Sequence, residues 1–360
     1  MTRILTVIGA RPQFIKAAVL SRRFAGMDGH EEILVHTGQH FDANMSDVFF
    51  TELGIGAPAV NLGIAGASHG AATGRMLEAL ERTMVEVAPD WVLVYGDTNS
   101  TIAGALAAAK LLIPVAHVEA GLRSFNRAMP EEVNRVMTDH CSDLLFTPTA
   151  TASANLRAEG LPEARICEVG DVMYDVALQF GQVADRQSDV IARLGLTPGG
   201  YVLSTVHRQE NTDHPDRLRA ILDGLGQVAA DRPVVLPLHP RTRGRIEAQG
   251  LGALADRLTL IDPVGYLDMV ALEKNAAVIA TDSGGIQKEA FFHGVPCVTL
   301  RDETEWTELV EAGWNRLCPP LDAAAIAGAV AGALGTRGAP VTPYGAGNAA
   351  ELIADRLVAG

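Results

Sequence analysis

The sequence predicts an α/β protein made of two doubly wound, Rossmann-like parallel sheets, on three observations. Short β-branched or aliphatic runs alternate with longer Ala/Leu-rich stretches, the pattern of βα units. That rhythm stops after Gly170 and resumes near Tyr201, so it occurs twice. At 360 residues, 48% hydrophobic but only 5% aromatic, the chain can bury a large core and has the small aliphatic side chains that strands covered on both faces require.

The first series of strands is expected at residues 4–8, 33–37, 91–95, 115–118, 144–147 and 166–169. The opening residues 3–9 are too short for the apolar core of an export signal and read as a buried first strand. The most apolar stretch, 102–118, is interrupted by Lys110 and Pro114, so it divides into a helix and a strand and does not span a membrane. A polar helix follows Gly170, and a turn at Leu196-Thr197-Pro198-Gly199-Gly200 opens the second series at 201–205, 234–238, 258–261, 278–281 and 297–300. Domains are therefore expected at 1–170 and 171–342, with a last helix inside 343–360 packing back on one of them. Ligands of such sheets bind beyond the carboxyl ends of the strands, here in the cleft between two lobes.

A formal charge of −14 excludes nucleic acid or an anionic membrane as the main partner. An anionic substrate must then meet a local cluster of cations. Cys141, Cys167, Cys297 and Cys318 are far apart without metal spacing, and are expected as buried, reduced thiols.

Polar clusters recur at the expected strand ends. Thr281-Asp282-Ser283-Gly284-Gly285 turns a strand directly into a helix, offering free N–H groups, a hydroxyl and the positive end of a dipole to a phosphate. Glu289, about a turn later, could accept from ribose hydroxyls; the alternative is a Ser-capped turn with no ligand. Arg11 and Lys16 flank the start of the first helix and suit an anion, or form a solvated pair. Asp97 reads either as a helix N-cap or as an acid at a strand end. Glu119 ends an apolar strand, where desolvation favours proton transfer. Pro130-Glu131-Glu132 reads as a helix's first turn. His207 with Arg208 could bind phosphate or donate a proton, or be a satisfied core histidine; His239 ends the next strand. Dinucleotide, P-loop, nucleophile-elbow and His-Glu-x-x-His motifs are all missing, so neither metal nor nicotinamide cofactor is expected.

Seven motifs in order span essentially the whole chain: Gly9 to Lys16, Gly96-Asp97-Thr98, His117 to Arg123, Pro130 to Arg135, His207-Arg208, Asp282 to Glu289, and Pro343-Tyr344-Gly345. Together they resemble the non-hydrolysing UDP-N-acetylglucosamine 2-epimerases. The resemblance implies a glycosyltransferase-B architecture with the active site between the lobes, a terminal helix returning to the first lobe, a cytoplasmic homodimer and a role in surface polysaccharide synthesis. It implies essential carboxylates at Asp97, Glu119 and Glu131, an essential histidine at His207, and nucleotide contacts at Arg11, Lys16, Ser283, Gly284, Gly285 and Glu289; Arg123, Arg208, His239 and Arg301 are further residues expected to bind the UDP-sugar. UDP is eliminated across C1–C2 to a 2-acetamidoglucal and added back, which requires acid/base groups for both faces of C2. A retaining glycosyltransferase of the same fold, or a non-catalytic nucleotide-sugar binder, are the rivals.

Some segments depart from the better-known enzymes: Asp97-Thr98-Asn99-Ser100, Gly38-Gln39-His40-Phe41 and Thr304-Glu305-Trp306-Thr307-Glu308. With Asn44-Met45-Ser46-Asp47 and Ser124-Phe125-Asn126-Arg127, they resemble the branch acting on UDP-2,3-diacetamido-2,3-dideoxy-glucuronic acid. Arg123, Asn126 and Arg127, with Arg241 and Arg243, are the expected contacts to that larger, more anionic sugar. The altered 39–42 segment lies where relatives bind an activating UDP-N-acetylglucosamine, so no sigmoidal activation is expected.

Overall fold

The computed structural model describes residues 1–39 and 54–358. The side chain of Arg11 and the segments at 40–42 and 44–47 singled out above lie outside the described residues. Two units are present, Met1–Val176 with Thr342–Gly360, and Ala177–Val341.

In the first unit the described strands are β1 (Thr2–Ile8), β2 (His30–His36), β3 (Val60–Asn61), β4 (Trp91–Tyr95), β5 (Val115–Val118), β6 (Leu144–Thr147) and β7 (Ile166–Glu168). They form a parallel sheet in the order β3-β2-β1-β4-β5-β6-β7. Leu5 and Val7 of β1 and Val92 and Val94 of β4 pack with Met76, Leu80 and Met84, the buried stripe of helix His69–Val87. The second unit has β8 (Val202–Thr205), β9 (Val234–Pro237), β10 (Thr259–Ile261), β11 (Val278–Thr281), β12 (Cys297–Thr299) and β13 (Asn315–Leu317), in the parallel order β10-β9-β8-β11-β12-β13. Its core joins Val202, Leu236, Val278 and Val298 to Leu218, Ile221 and Leu225 of helix Pro215–Val228 and to Ile326 and Val330 of helix Ala323–Ala333.

Both sheets have the double winding expected, with strand order reversing between β1 and β4 and between β8 and β11. Two edge strands escaped the sequence reading. β3 and β13 have two and three residues, too few for any periodicity to appear. The four cysteines are free thiols, but Cys141 and Cys167 are only partly buried, a correction to the expectation that all four are in the core. Among the described residues no helix is long and apolar enough to cross a membrane.

Helix Ala349–Val358 packs on the first unit along helix Arg11–Ala25, burying Ile353, Ala354 and Leu357. Asp175 accepts from the free N–H groups of Ala349 (3.1 Å) and Ala350 (2.9 Å) at its start. Burial raises the Asp175 carboxyl above its ordinary range despite these hydrogen bonds.

Candidate active site

The register of the first sheet sets the site. Tyr95 of β4 pairs with Val118 of β5, so the chains that leave the two strands, Gly96-Asp97 and Glu119, emerge side by side. Glu119 has a φ of 71°, a left-handed conformation that costs a non-glycine residue roughly 1–2 kcal/mol. Such strain is held only where the surroundings over-determine it. The Glu119 side chain is 14% exposed and forms an ion pair with Lys16, which helix Arg11–Ala25 supplies directly after β1. The desolvated carboxylate expected at this strand end is thus met by an ammonium group.

Asp97 forms an ion pair with Arg135, and its carbonyl accepts from Asn134 (3.0 Å). The cap of the following helix is Thr98, whose Oγ1 accepts from the N–H of Thr101 (3.3 Å); the capping alternative for Asp97 is therefore corrected. Thr98 relieves Asp97 of that task.

Pro130 opens helix Pro130–Cys141 as expected, but its two acids differ. Glu132 is buried, accepts from Ser124 N and Oγ and from Phe125 N (each 2.9 Å), and meets Arg135 at 3.3 Å. Burial opposes its ionisation, but the Ser124 and Phe125 hydrogen bonds and Arg135 outweigh it and hold the carboxyl below the ordinary range. Glu131 is exposed and lies one helical turn before Arg135, on the face directed at Asp97.

Arg123 is a correction. Its guanidinium is 1% exposed and engaged by Asp139 (2.7 Å) and Glu159 (2.6 and 2.8 Å), so it braces the unit and has no free face for a sugar. Arg241 and Arg243 likewise have partners, Asp213 (2.9 Å) and Asp262 (3.0 Å). Arg127 is exposed, and among the described residues it has no ion-pair partner. Sequence reasoning also missed Gln13, which accepts from Gly9 N (2.8 Å) and donates to Tyr95 O (2.9 Å), tying the loop after β1 to β4. Only its burial marks it.

In the second unit Asp282, fully buried, accepts from the N–H groups of His207 (3.2 Å) and Arg208 (3.1 Å) and from Asn211 Nδ2 (3.0 Å). The His207 ring lies 3.3 Å from the same carboxylate and is 47% exposed, so it is the oriented, accessible histidine and the buried-core alternative is corrected. In the sequence Asp282 is one residue of a turn; its orienting contact is a tertiary fact. Ser283 caps helix Gly284–Phe292, its Oγ accepting from Ile286 N (3.4 Å). The two glycines separate: a Cβ on Gly284 would lie 2.5 Å from Glu305 Oε1, whereas Gly285 is open. The neighbour at Gly284 is the far end of the Glu305 side chain, which is 45% exposed.

Arg301, nearly buried, is held by Glu305 (2.7 Å) and lies 3.7 Å from Glu210, which also meets Arg208 at 3.8 Å. His239 caps helix Pro240–Ala248 by accepting from Arg241 N (3.2 Å). Glu289 is within electrostatic reach of Glu273, whose carboxyl is pushed far up by burial first and by Glu289 second. His293, 4.0 Å from Glu273, is pushed down to about 4 by burial and then by Lys274, so burial favours the neutral form of both side chains. Among the described residues no group of His, Cys, Asp and Glu is placed to hold a metal ion.

The family model for UDP-N-acetylglucosamine 2-epimerase matches residues 24–358. Over 318 residues, 88% of each chain, this chain is 55% identical to the UDP-2,3-diacetamido-2,3-dideoxy-D-glucuronate 2-epimerase of Pseudomonas aeruginosa. It is 36% identical over 328 residues to the UDP-N-acetylglucosamine 2-epimerase of Escherichia coli K12, covering 88% of this chain and 86% of that one. The solved UDP-GlcNAc 2-epimerase of Methanocaldococcus jannaschii matches over the full length of both chains with a TM-score of 0.90 at 40% identity. The structure described as that enzyme in complex with UDP-GlcNAc and UDP also matches over both full lengths, at 0.86 and 41%. With the motifs in order on two doubly wound units, the chain belongs to the UDP-N-acetylglucosamine 2-epimerase family.

Proposed function

We propose that this protein inverts C2 of a UDP-2-acetamido sugar, and that its substrate is UDP-2,3-diacetamido-2,3-dideoxy-D-glucuronic acid. The observation that carries the reaction is the pair of strand ends that set Asp97 and Glu119 side by side, each with its own cation, with Glu131 on the adjoining helix face. Inversion requires one group to remove the C2 proton and another to return a proton to the opposite face. One carboxylate takes that proton as the C1–O bond breaks, UDP leaving with the bonding electrons. A 2-acetamidoglucal remains. A second acid then protonates C2 from the other face as UDP adds back to C1; the first group releases its proton to water and the second takes one up, so nothing is consumed. In the second unit His207, Arg208, Arg301, His239 and the Ser283-Gly284-Gly285 helix start carry the negative charge of UDP in both steps, and Glu289 meets the ribose.

The 55% identity to the diacetamido-glucuronate enzyme supports the sugar, and exposed Arg127 offers a cation for its C6 carboxylate. A cytoplasmic location and a role in surface polysaccharide synthesis accompany this reading. So does a homodimer, for which Met129, Val133 and Met137 provide an exposed apolar stripe on one helix face. A monomeric mass by light scattering at micromolar concentration would remove the dimer.

Incubation with the diacetamido uronate in deuterated water, with EDTA and without added NAD, is expected to place deuterium at C2 and yield the epimer by NMR. An unlabelled, unconverted sugar overturns the choice of substrate, the same result with UDP-N-acetylglucosamine overturns the reaction, and activity that returns only with a metal overturns the cofactor-free mechanism.

A further inference from the structure

Helix Pro130–Cys141 carries Glu131, Arg135 and Asp139 at intervals of four residues, hence along one stripe. The first is a proposed acid and the second is the partner of Asp97. Asp139 is fully buried and reaches no substrate. One of its oxygens meets His117 Nδ1 at 2.7 Å, and the other accepts from Gly121 N at 3.1 Å and lies 2.7 Å from Arg123. Burial disfavours its charge, but His117 and Arg123 outweigh that and hold the carboxyl below its ordinary range. His117 is also fully buried, on β5, and its Nε2 meets the carbonyl of Gly96 at 2.7 Å. Gly96 directly precedes Asp97, and Gly121 follows Glu119 in a turn where φ is 71° at Glu119 and 78° at Gly121.

We infer that His117, clamped by Asp139, is the positioning residue that fixes Asp97 relative to Glu119 by holding the Gly96 carbonyl. A buried ring facing an acceptor at each nitrogen is an expensive way to stabilise a core, and an apolar side chain would fill the same space. What the ring adds is a fixed distance between two loops, each bearing an acid. The inference rests on the proposed epimerisation, in which a displacement of about 1 Å can cost roughly 100-fold in rate.

Two conservative substitutions separate positioning from packing. In His117→Gln the amide nitrogen replaces Nε2 and keeps the bond to Gly96, losing that to Asp139. In His117→Asn it replaces Nδ1 and keeps Asp139, losing Gly96. Turnover of the diacetamido uronate is expected to stay within about tenfold of wild type in the Gln variant, the worth of one net hydrogen bond. It is expected to fall by about 100-fold in the Asn variant, with the Kd for UDP and the thermal midpoint matched between the two. Equal losses, or losses that follow the midpoint, overturn the inference. If wild-type protein exchanges no C2 hydrogen with either sugar, the functional reading fails instead. The 13Cγ resonance of Asp97 then decides the positioning: displaced in the Asn variant and not in the Gln variant supports it, and any other pattern overturns it.

Discussion

Asp97→Asn, Glu119→Gln and Glu131→Gln are each expected to lower turnover by about 100-fold or more while UDP still binds, because each removes a group able to carry a proton and leaves its shape. The three variants differ in side effects. Glu119→Gln leaves Lys16 without its carboxylate in a site where both side chains are little exposed, so it should also destabilise the fold. Asp97→Asn removes the partner of Arg135, which retains Glu132 at 3.3 Å. Glu131→Gln breaks no ion pair among the described residues, and its thermal midpoint should equal that of wild type. Glu132→Gln is the internal control. It weakens the anchor of the 124–125 loop and should lower the midpoint more than it lowers turnover at a temperature where the variant is folded. Stopped assays with isothermal titration of UDP and thermal melts read all of these. Near-wild-type turnover in any of the first three removes that residue from the chemistry.

Arg127→Ala is expected to lower kcat/KM for the diacetamido uronate by about 10- to 100-fold and to leave any turnover of UDP-N-acetylglucosamine unchanged, because only the uronate carries a C6 carboxylate for the guanidinium to meet. The loop bearing Arg127 is pinned through Ser124 and Phe125 to Glu132, the neighbour of Glu131, which keeps the cation beside a proposed acid. Wild-type protein should prefer the uronate and show no sigmoidal dependence on UDP-N-acetylglucosamine. Steady-state kinetics on both sugars decides the point. Efficient, cooperative turnover of UDP-N-acetylglucosamine, unaffected by Arg127→Ala, would assign the chain to that substrate instead.

The sequence by itself determined the two βα series, the strands of both sheets except the short edges, and the acids and cations at their carboxyl ends. These are local properties: apolar runs, breakers and strand-end polar residues act over a few positions, so they are visible without knowing what packs against them. Tertiary structure decided which polar groups are free to react. Glu131 and Glu132 are neighbours in one helical turn, yet only Glu132 is buried in hydrogen bonds. Arg123 looks like a ligand in the sequence and is locked between Asp139 and Glu159. Lys16 and Glu119 meet across 103 residues, Arg135 and Asp97 across 38, and His117 reaches Gly96 across 21. A carboxylate's partner and its desolvation are set by residues distant in the chain, because only the assembled sheet brings the ends of β1, β4 and β5 together.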